Sequence, residues 1–269
     1  MADRIQVDGT PAVETFELVR RFGDFTAVGG IDLRVERGQF FGFLGPNGAG
    51  KSTTIRMLTG LLAPSGGRVR VLGRDMAAEA LEVKRRIGVV PEDLNLFERL
   101  TGAEMLSFTG RMYGLGREDT TLRSRELLEL MELDAEPRRL VVEYSHGMKK
   151  KLALACALIH RPEILFLDEP FEGVDAVASR TLKDLLSRLT SRGLTVFLTS
   201  HVLEIVERLC THIAIISAGR LVAAGPLEEL RRGISVEGEE GAALSLEDYF
   251  ISVVGGTRDA DADALGWLG

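Results

Sequence analysis

The stretch Gly45-Pro46-Asn47-Gly48-Ala49-Gly50-Lys51-Ser52-Thr53 follows the phosphate-binding pattern G-x-x-x-x-G-K-[ST]. An apolar run, Phe40 to Leu44, precedes it, and a helix-like segment, Thr53 to Leu62, follows. Strand, glycine loop and helix in that order are the context in which the pattern makes a site. Glycines let the main chain wrap closely around an anion because no Cβ intervenes. The N–H groups of the loop and of the helix N-terminus then point at the phosphates. Lys51 is in reach of the β- and γ-phosphates, and Ser52 offers a hydroxyl to Mg²⁺. Nucleotide binding follows from the stretch and its context.

The flanking sequence predicts the sheet that carries such a loop. Ala12 to Val19, Ile31 to Val35 and Arg68 to Leu72 read as strands, so the chain up to Gly73 is strand-rich. Phe22-Gly23-Asp24-Phe25 reads as a turn. Ala77 to Arg86 has a helical pattern, and Ile87 to Val90 is a short buried strand stopped by Pro91. From Thr101 to Leu133 the pattern is helical, with a capping box at Thr101 and Glu104 and a break at Gly114-Leu115-Gly116. Another helix runs from Ser145 to His160. Ile164 to Leu167 is apolar on both faces, as an interior parallel strand requires. Helix (Ala176 to Thr190), strand (Leu194 to Thr199), helix (Val202 to Leu209) and strands (Ile213 to Ile216, Arg220 to Ala223) follow. This alternation implies an α/β fold, a mixed sheet with helices on both faces. Near the C-terminus, Leu246, Tyr249, Phe250 and Val253 lie on one helical stripe.

Two further segments carry chemistry. The run Ile164-Leu165-Phe166-Leu167 ends in Asp168-Glu169. A strand ending in a carboxylate is how a phosphate-loop enzyme sets an Asp against Mg²⁺, and Glu169 is next in line to face an attacking water. In Ser145-His146-Gly147-Met148, Ser145 is a good helix N-cap. Lys149, Lys150 and Lys151 come straight after, where the helix dipole favours acids, and the sequence reads them as a solvated basic patch.

The loop, the Ser145 to Met148 segment, the strand ending in Asp168-Glu169 and Thr199-Ser200-His201 occur in the order seen in ATP-binding cassette ATPases. The chain resembles the nucleotide-binding subunit of an ABC transporter over roughly Val13 to Leu230. The resemblance implies a RecA-like P-loop fold with an N-terminal antiparallel β subdomain and an inserted helical subdomain. An ATPase domain would span about 1–235, with the helical part at about 92–160 and a tail at 236–269 bearing one short amphipathic helix. Two such domains pack head to tail, as homodimer or heterodimer, and sandwich two ATP molecules. The resemblance assigns Gly45 to Thr53 to ATP and Phe22 to adenine stacking, with Ser52, Glu92 and Asp168 on Mg²⁺. Glu169 is then the general base and His201 the γ-phosphate contact. Ser145, His146, Gly147 and Met148 form the signature that holds the partner domain's ATP, and Asp175 belongs to the loop crossing the dimer interface. The chain departs from the family at Glu92, where glutamine is usual, and at His146 and Met148, where glycine and glutamine are common. Phe22 replaces the usual tyrosine, and Phe171-Glu172 follow Pro170 where a small polar pair is common.

The net charge is −7, which disfavours nucleic acid as a partner. No apolar run nears the ~18 residues of a membrane span, and no signal segment opens the sequence. Cys156 and Cys210 sit in apolar helical patterns and read as buried thiols. These features and the resemblance predict a motor at the cytoplasmic face of the membrane, driving export through a separate polytopic permease. A groove lined by Leu94, Leu96, Phe97 and Leu100 would receive that partner. The alternative is a soluble ABC ATPase acting on ribosomes or DNA. The stretch between Lys51 and Ser145 has no room for the long coiled coil of DNA-repair relatives.

Overall fold

A computed structural model describes residues 9–231 and 250–251. The N-terminal strands β1 (Val13–Phe22) and β2 (Phe25–Val35) form a hairpin around Gly23-Asp24, with Gly23 at φ 58°. Both strands run further than their alternation predicts. The reason is local: the β1 register shifts between Thr15 and Leu18 and twice more, and Glu17 takes φ 46°. A bulge throws the inward–outward pattern out of phase while the chain stays extended. The strands β4 (Gly66–Val71) and β5 (Arg74–Asp75) complete an antiparallel sheet in the order β2-β1-β4-β5.

The larger sheet contains β3 (Phe40–Leu44), β6 (Ile87–Val90), β7 (Ile164–Asp168), β8 (Thr195–Ser200), β9 (His212–Ser217) and β10 (Arg220–Pro226). Their order is β10-β9-β3-β8-β7-β6, and all pairs are parallel except β9 with β10. The central strands are buried on both faces, so their side chains divide between two cores. Phe40, Leu44, Leu165, Leu167, Val196 and Leu198 face one helical layer. Phe41, Phe43, Ile164, Phe166 and Phe197 face the antiparallel sheet and helix α1 (Lys51–Leu58). Phe197 anchors that side, with ring centroids 5.4 Å from Phe41, 5.6 Å from Phe43 and 5.7 Å from Phe166.

A short helix, α2 (Ala80–Lys84), precedes β6. Between β6 and β7 stand α3 (Gly102–Met112), α4 (Arg117–Leu130) and α5 (His146–Leu158). The Thr101–Glu104 capping box starts α3 as the sequence predicts. The helices α6 (Ala176–Ser191) and α7 (Leu203–Leu209) flank β8. Of the residues predicted to line a groove, Leu94, Leu96 and Leu100 are half-buried against the core, and Phe97 is 52% exposed and edge-on to Phe108 at 5.1 Å. Cys156 and Cys210 are free and buried, and burial pushes the Cys156 thiol up to about 11. The predicted tail helix lies outside the described residues apart from Phe250 and Ile251, which are helical, with Phe250 against the core. No helix among the described residues is long and apolar enough to cross a membrane.

Candidate functional site

Adjacent parallel strands end level with one another. Leu44 pairs with Ser200, and Asp168 pairs with Thr199. The chain therefore brings Gly45, Asp168-Glu169 and His201 to one edge of the sheet, the carboxyl end where open α/β sheets bind ligands. The loop there has no room for side chains at two glycines. A Cβ on Gly45 would lie 2.4 Å from the Ile216 carbonyl oxygen, and one on Gly50, at φ 109°, 2.6 Å from that of Ala27. No side chain caps α1, and no acid sits in its first turn. Its N–H groups and dipole are thus directed to an anion.

Lys51 is buried at 6% exposure. Its Nζ donates to the carbonyls of Gly45 (2.8 Å) and Pro46 (3.2 Å) and lies 3.2 Å from Glu169 Oε1. The Ser52 hydroxyl is 3.2 Å from Asp168 Oδ1 and 3.3 Å from Glu92 Oε2. One hydroxyl has one proton, so it donates to one carboxylate at a time. Burial pushes the Asp168 carboxyl above the usual carboxylate value, opposed by hydrogen bonds from Thr199 and Ser52 and reinforced by the Glu169 charge.

Glu169 is buried and takes φ 46°, a left-handed backbone uncommon for a side chain of its size. Its Oε2 lies 3.1 Å from His201 Nδ1. Neither this contact nor the one with Lys51 has hydrogen-bond geometry. Glu169 Oε1 and His201 Nδ1 are two of the buried polar atoms without a hydrogen-bond partner among the described residues. Buried orphans of this kind are rare in folded proteins and mark a place where a ligand or water completes the bonding.

His201 lines a cleft on one side of Glu169. On the other side, Lys51, Ser52, Glu92 and Glu169 line an adjoining cleft of about 540 Å³ that also takes in Phe22, Phe25 and Ala27. Its size, its glycine cradle, Lys51 and two exposed aromatic rings fit a nucleoside triphosphate. The Ser52, Asp168 and Glu92 oxygens suit Mg²⁺, which prefers a few protein oxygens supplemented by phosphates and water. Among the described residues, no group of three or more His, Cys, Asp or Glu side chains is placed to hold a metal ion. A second cleft of about 460 Å³ between α3 and α4, lined by Gly102, Leu128 and Tyr144, gathers no comparable chemistry.

The signature segment stands apart from that cleft. Ser145 caps α5, its Oγ accepting from the Met148 N–H at 3.2 Å. A Cβ on Gly147 would lie 3.2 Å from Asp175 Oδ2, and His146 Nε2 is 3.2 Å from the Glu172 carbonyl oxygen. Asp175 caps α6 through the N–H groups of Val177 (3.0 Å) and Ala178 (2.9 Å), which hold its carboxyl below the usual range. Ser145 to Met148 do not line the phosphate cleft of their own chain.

The solvated basic patch predicted for the three lysines is absent. Lys150 and Lys151 are 3% and 7% exposed. Lys149 Nζ is 3.2 Å from Glu98 Oε1, Lys150 Nζ is 3.1 Å from the Glu169 carbonyl oxygen, and Lys151 Nζ is 2.8 Å from Glu132 Oε2. Phe25, Thr199 and Lys150 are site residues that sequence reasoning missed. Thr199 donates to Asp168 Oδ1 at 2.6 Å and accepts from the Glu169 N–H at 3.0 Å. The sequence places it in the Thr199-Ser200-His201 segment but assigns a role there to His201 alone.

The ABC transporter family model matches residues 28–172. The daunorubicin resistance ATP-binding protein DrrA3 of Streptomyces coeruleorubidus is 40% identical over 98% of this chain and 83% of its own length. The linearmycin resistance ATP-binding protein LnrL of Bacillus subtilis (strain 168) is 39% identical over 78% of this chain and 68% of its own. A solved ATP-binding subunit of an ABC transporter has a TM-score of 0.81 at 29% identity, covering 90% of this chain and 99% of that one. Sequence similarity along nearly the whole chain and a shared fold converge on one assignment: the chain belongs to the ABC transporter family, as one of its ATP-binding, ATP-hydrolysing domains.

Proposed function

We propose that this ATPase drives export of small bioactive molecules through a separate polytopic membrane partner, working as a pair of ABC domains at the cytoplasmic face of the membrane. The observation that carries the catalytic part is Glu169, its carboxylate set between Lys51 (3.2 Å) and His201 (3.1 Å). The relatives named for daunorubicin and linearmycin resistance support the direction and kind of cargo, and they leave no support for a ribosome or DNA role.

In this reading Phe22 and Phe25 stack on adenine, and the N–H groups of Gly45 to Thr53 cradle the phosphates. Lys51 turns from the loop carbonyls to the β- and γ-phosphate oxygens. Ser52, Asp168 and Glu92 would hold Mg²⁺, whose positive charge would offset that of the triphosphate. Glu169 takes a proton from water as the water oxygen attacks the γ-phosphorus. The bond from that phosphorus to the β–γ bridging oxygen breaks, leaving ADP and phosphate. His201 aligns the water and contacts the γ-phosphate. Ser145 to Met148 hold the nucleotide of the opposing domain, and the Asp175 loop crosses the interface.

Two results test this. A tagged chain recovered from detergent-solubilised membranes is expected to bring down a stoichiometric polytopic membrane protein, identified by mass spectrometry. Recovery only from the soluble fraction, with ribosomes or nucleic acid attached, would overturn the transport reading. Glu92→Ala is expected to raise the Mg²⁺ concentration for half-maximal ATPase activity by roughly tenfold, the lower end of what losing a metal-site contact costs. An unchanged Mg²⁺ titration removes Glu92 from the metal site.

A further inference from the structure

The mechanism above makes no use of Lys150. The residue is 3% exposed, and it lines a small apolar cavity with Val90, Leu154, Leu167 and Phe171. Placing an ammonium there is unfavourable unless a partner offsets the lost hydration. The direct partner is a neutral group, the main-chain carbonyl of Glu169, 3.1 Å away. Burial lowers the Lys150 pKa, and the carboxylates of Glu172, Glu92, Asp168 and Glu169 act against that.

Glu169 needs such a restraint. At φ 46° its backbone is strained, and strained residues persist only where the surroundings over-determine them. The Thr199 hydroxyl accepts the Glu169 N–H at 3.0 Å, and Lys150 donates to the Glu169 carbonyl at 3.1 Å. The peptide groups on both sides of the Glu169 Cα are thus held by side chains from two different elements, β8 and α5. Rotation of either peptide would swing the carboxylate away from Lys51 and His201.

We propose that Lys150 is a positioning residue for ATP hydrolysis: by holding the Glu169 carbonyl it aims the general base, and it ties that aim to the seating of α5, the helix that the signature segment begins. The proposal rests on the reading of Glu169 as the base. It makes α5 a mechanical link, because a shift of α5 that breaks the Lys150 contact leaves the Glu169 carbonyl only the longer bond from the Glu172 N–H at 3.3 Å.

The test compares the full-length wild-type chain with Lys150→Met, Lys150→Gln and Glu169→Gln. Steady-state ATPase kinetics, binding of a fluorescent ATP analogue and thermal unfolding are read for each. K150M keeps side-chain length and removes the buried charge, so its melting temperature is expected to stay level or rise. Its kcat is expected to fall roughly 10- to 100-fold, the effect of a misplacement of about 1 Å, with KM and analogue affinity unchanged within about threefold. K150Q retains an N–H donor and is expected to recover turnover to within about fivefold of wild type. Full turnover in K150M overturns the proposal. So does a K150M chain that fails to fold, or losses in both variants that track a lowered melting temperature, because these make Lys150 a packing residue. E169Q separates the two readings. Retained turnover there removes the base itself, whereas an inactive E169Q beside a fully active K150M removes only the positioning role.

Discussion

Glu169→Gln is expected to lower ATP turnover by roughly 10²- to 10⁴-fold, the contribution of a positioned general base, while ATP binding survives. The amide keeps the shape of the side chain but cannot take a proton from water. It also removes a negative charge from a buried position beside the triphosphate, where repulsion is poorly screened. ATP affinity therefore stays level or improves. With hydrolysis stalled and ATP held, the two-domain sandwich is expected to accumulate. Size-exclusion chromatography with and without Mg²⁺-ATP reads that directly. A variant that hydrolyses ATP at near wild-type rate would take Glu169 out of the role, and with it the significance of its place between Lys51 and His201.

Lys51→Met is expected to act on both binding and turnover. Among the described residues, the ammonium is the single positively charged side chain lining a cleft that also contains Glu92, Glu169 and Glu172. Without it, three carboxylates face an anionic ligand with the loop amides, the helix dipole and the Mg²⁺ that accompanies ATP left to compensate. Truncating one partner of a desolvated charge pair costs about 2–4 kcal/mol, so the ATP Kd is expected to rise roughly 30- to 1000-fold. Loss of one preorganised donor to the transferring phosphoryl lowers turnover by a further 10²- to 10³-fold or so. Isothermal titration with ATP checks the first figure, and single-turnover hydrolysis at saturating ATP checks the second. Unchanged affinity would mean that Lys51 serves only to hold the loop through the carbonyls of Gly45 and Pro46.

Much of this site was legible before any coordinates. The loop at Gly45 to Thr53 is contiguous, and its shape follows from which residues tolerate positive φ and lack a Cβ, as Gly48 at φ 79° and Gly50 at φ 109° do. Caps are equally local: Thr101, Ser145 and Asp175 each bond N–H groups two or three residues ahead. The acids ending β7 are readable because a short run apolar on both faces, stopped by Pro170, has the length and pattern that an interior strand requires. The full length of the β1–β2 hairpin is not legible in the sequence, because its bulges break the alternation that marks a strand. Phe25 was missed with it, since only the full hairpin brings that ring to the cleft beside Phe22.

By itself, then, the sequence determined every feature set by neighbours along the chain: the phosphate loop, the helix caps, the strand-end acids and the alternation of strand and helix. Tertiary structure alone decided which distant groups meet. Lys51 opens the helix after β3, Glu169 follows β7 and His201 follows β8, and their contacts depend on sheet order and register. The three lysines show the division most clearly. Successive residues on a helix point about 100° apart, so Lys149, Lys150 and Lys151 face three directions. The apolar stretch that follows them does not say which direction is inward. Packing of α5 against β6, α3 and α6 made that choice, turning Lys150 to the Glu169 carbonyl and Lys151 to Glu132. A lysine buried at such a contact is set by the free energy of the whole packed layer, which no local pattern of residues encodes.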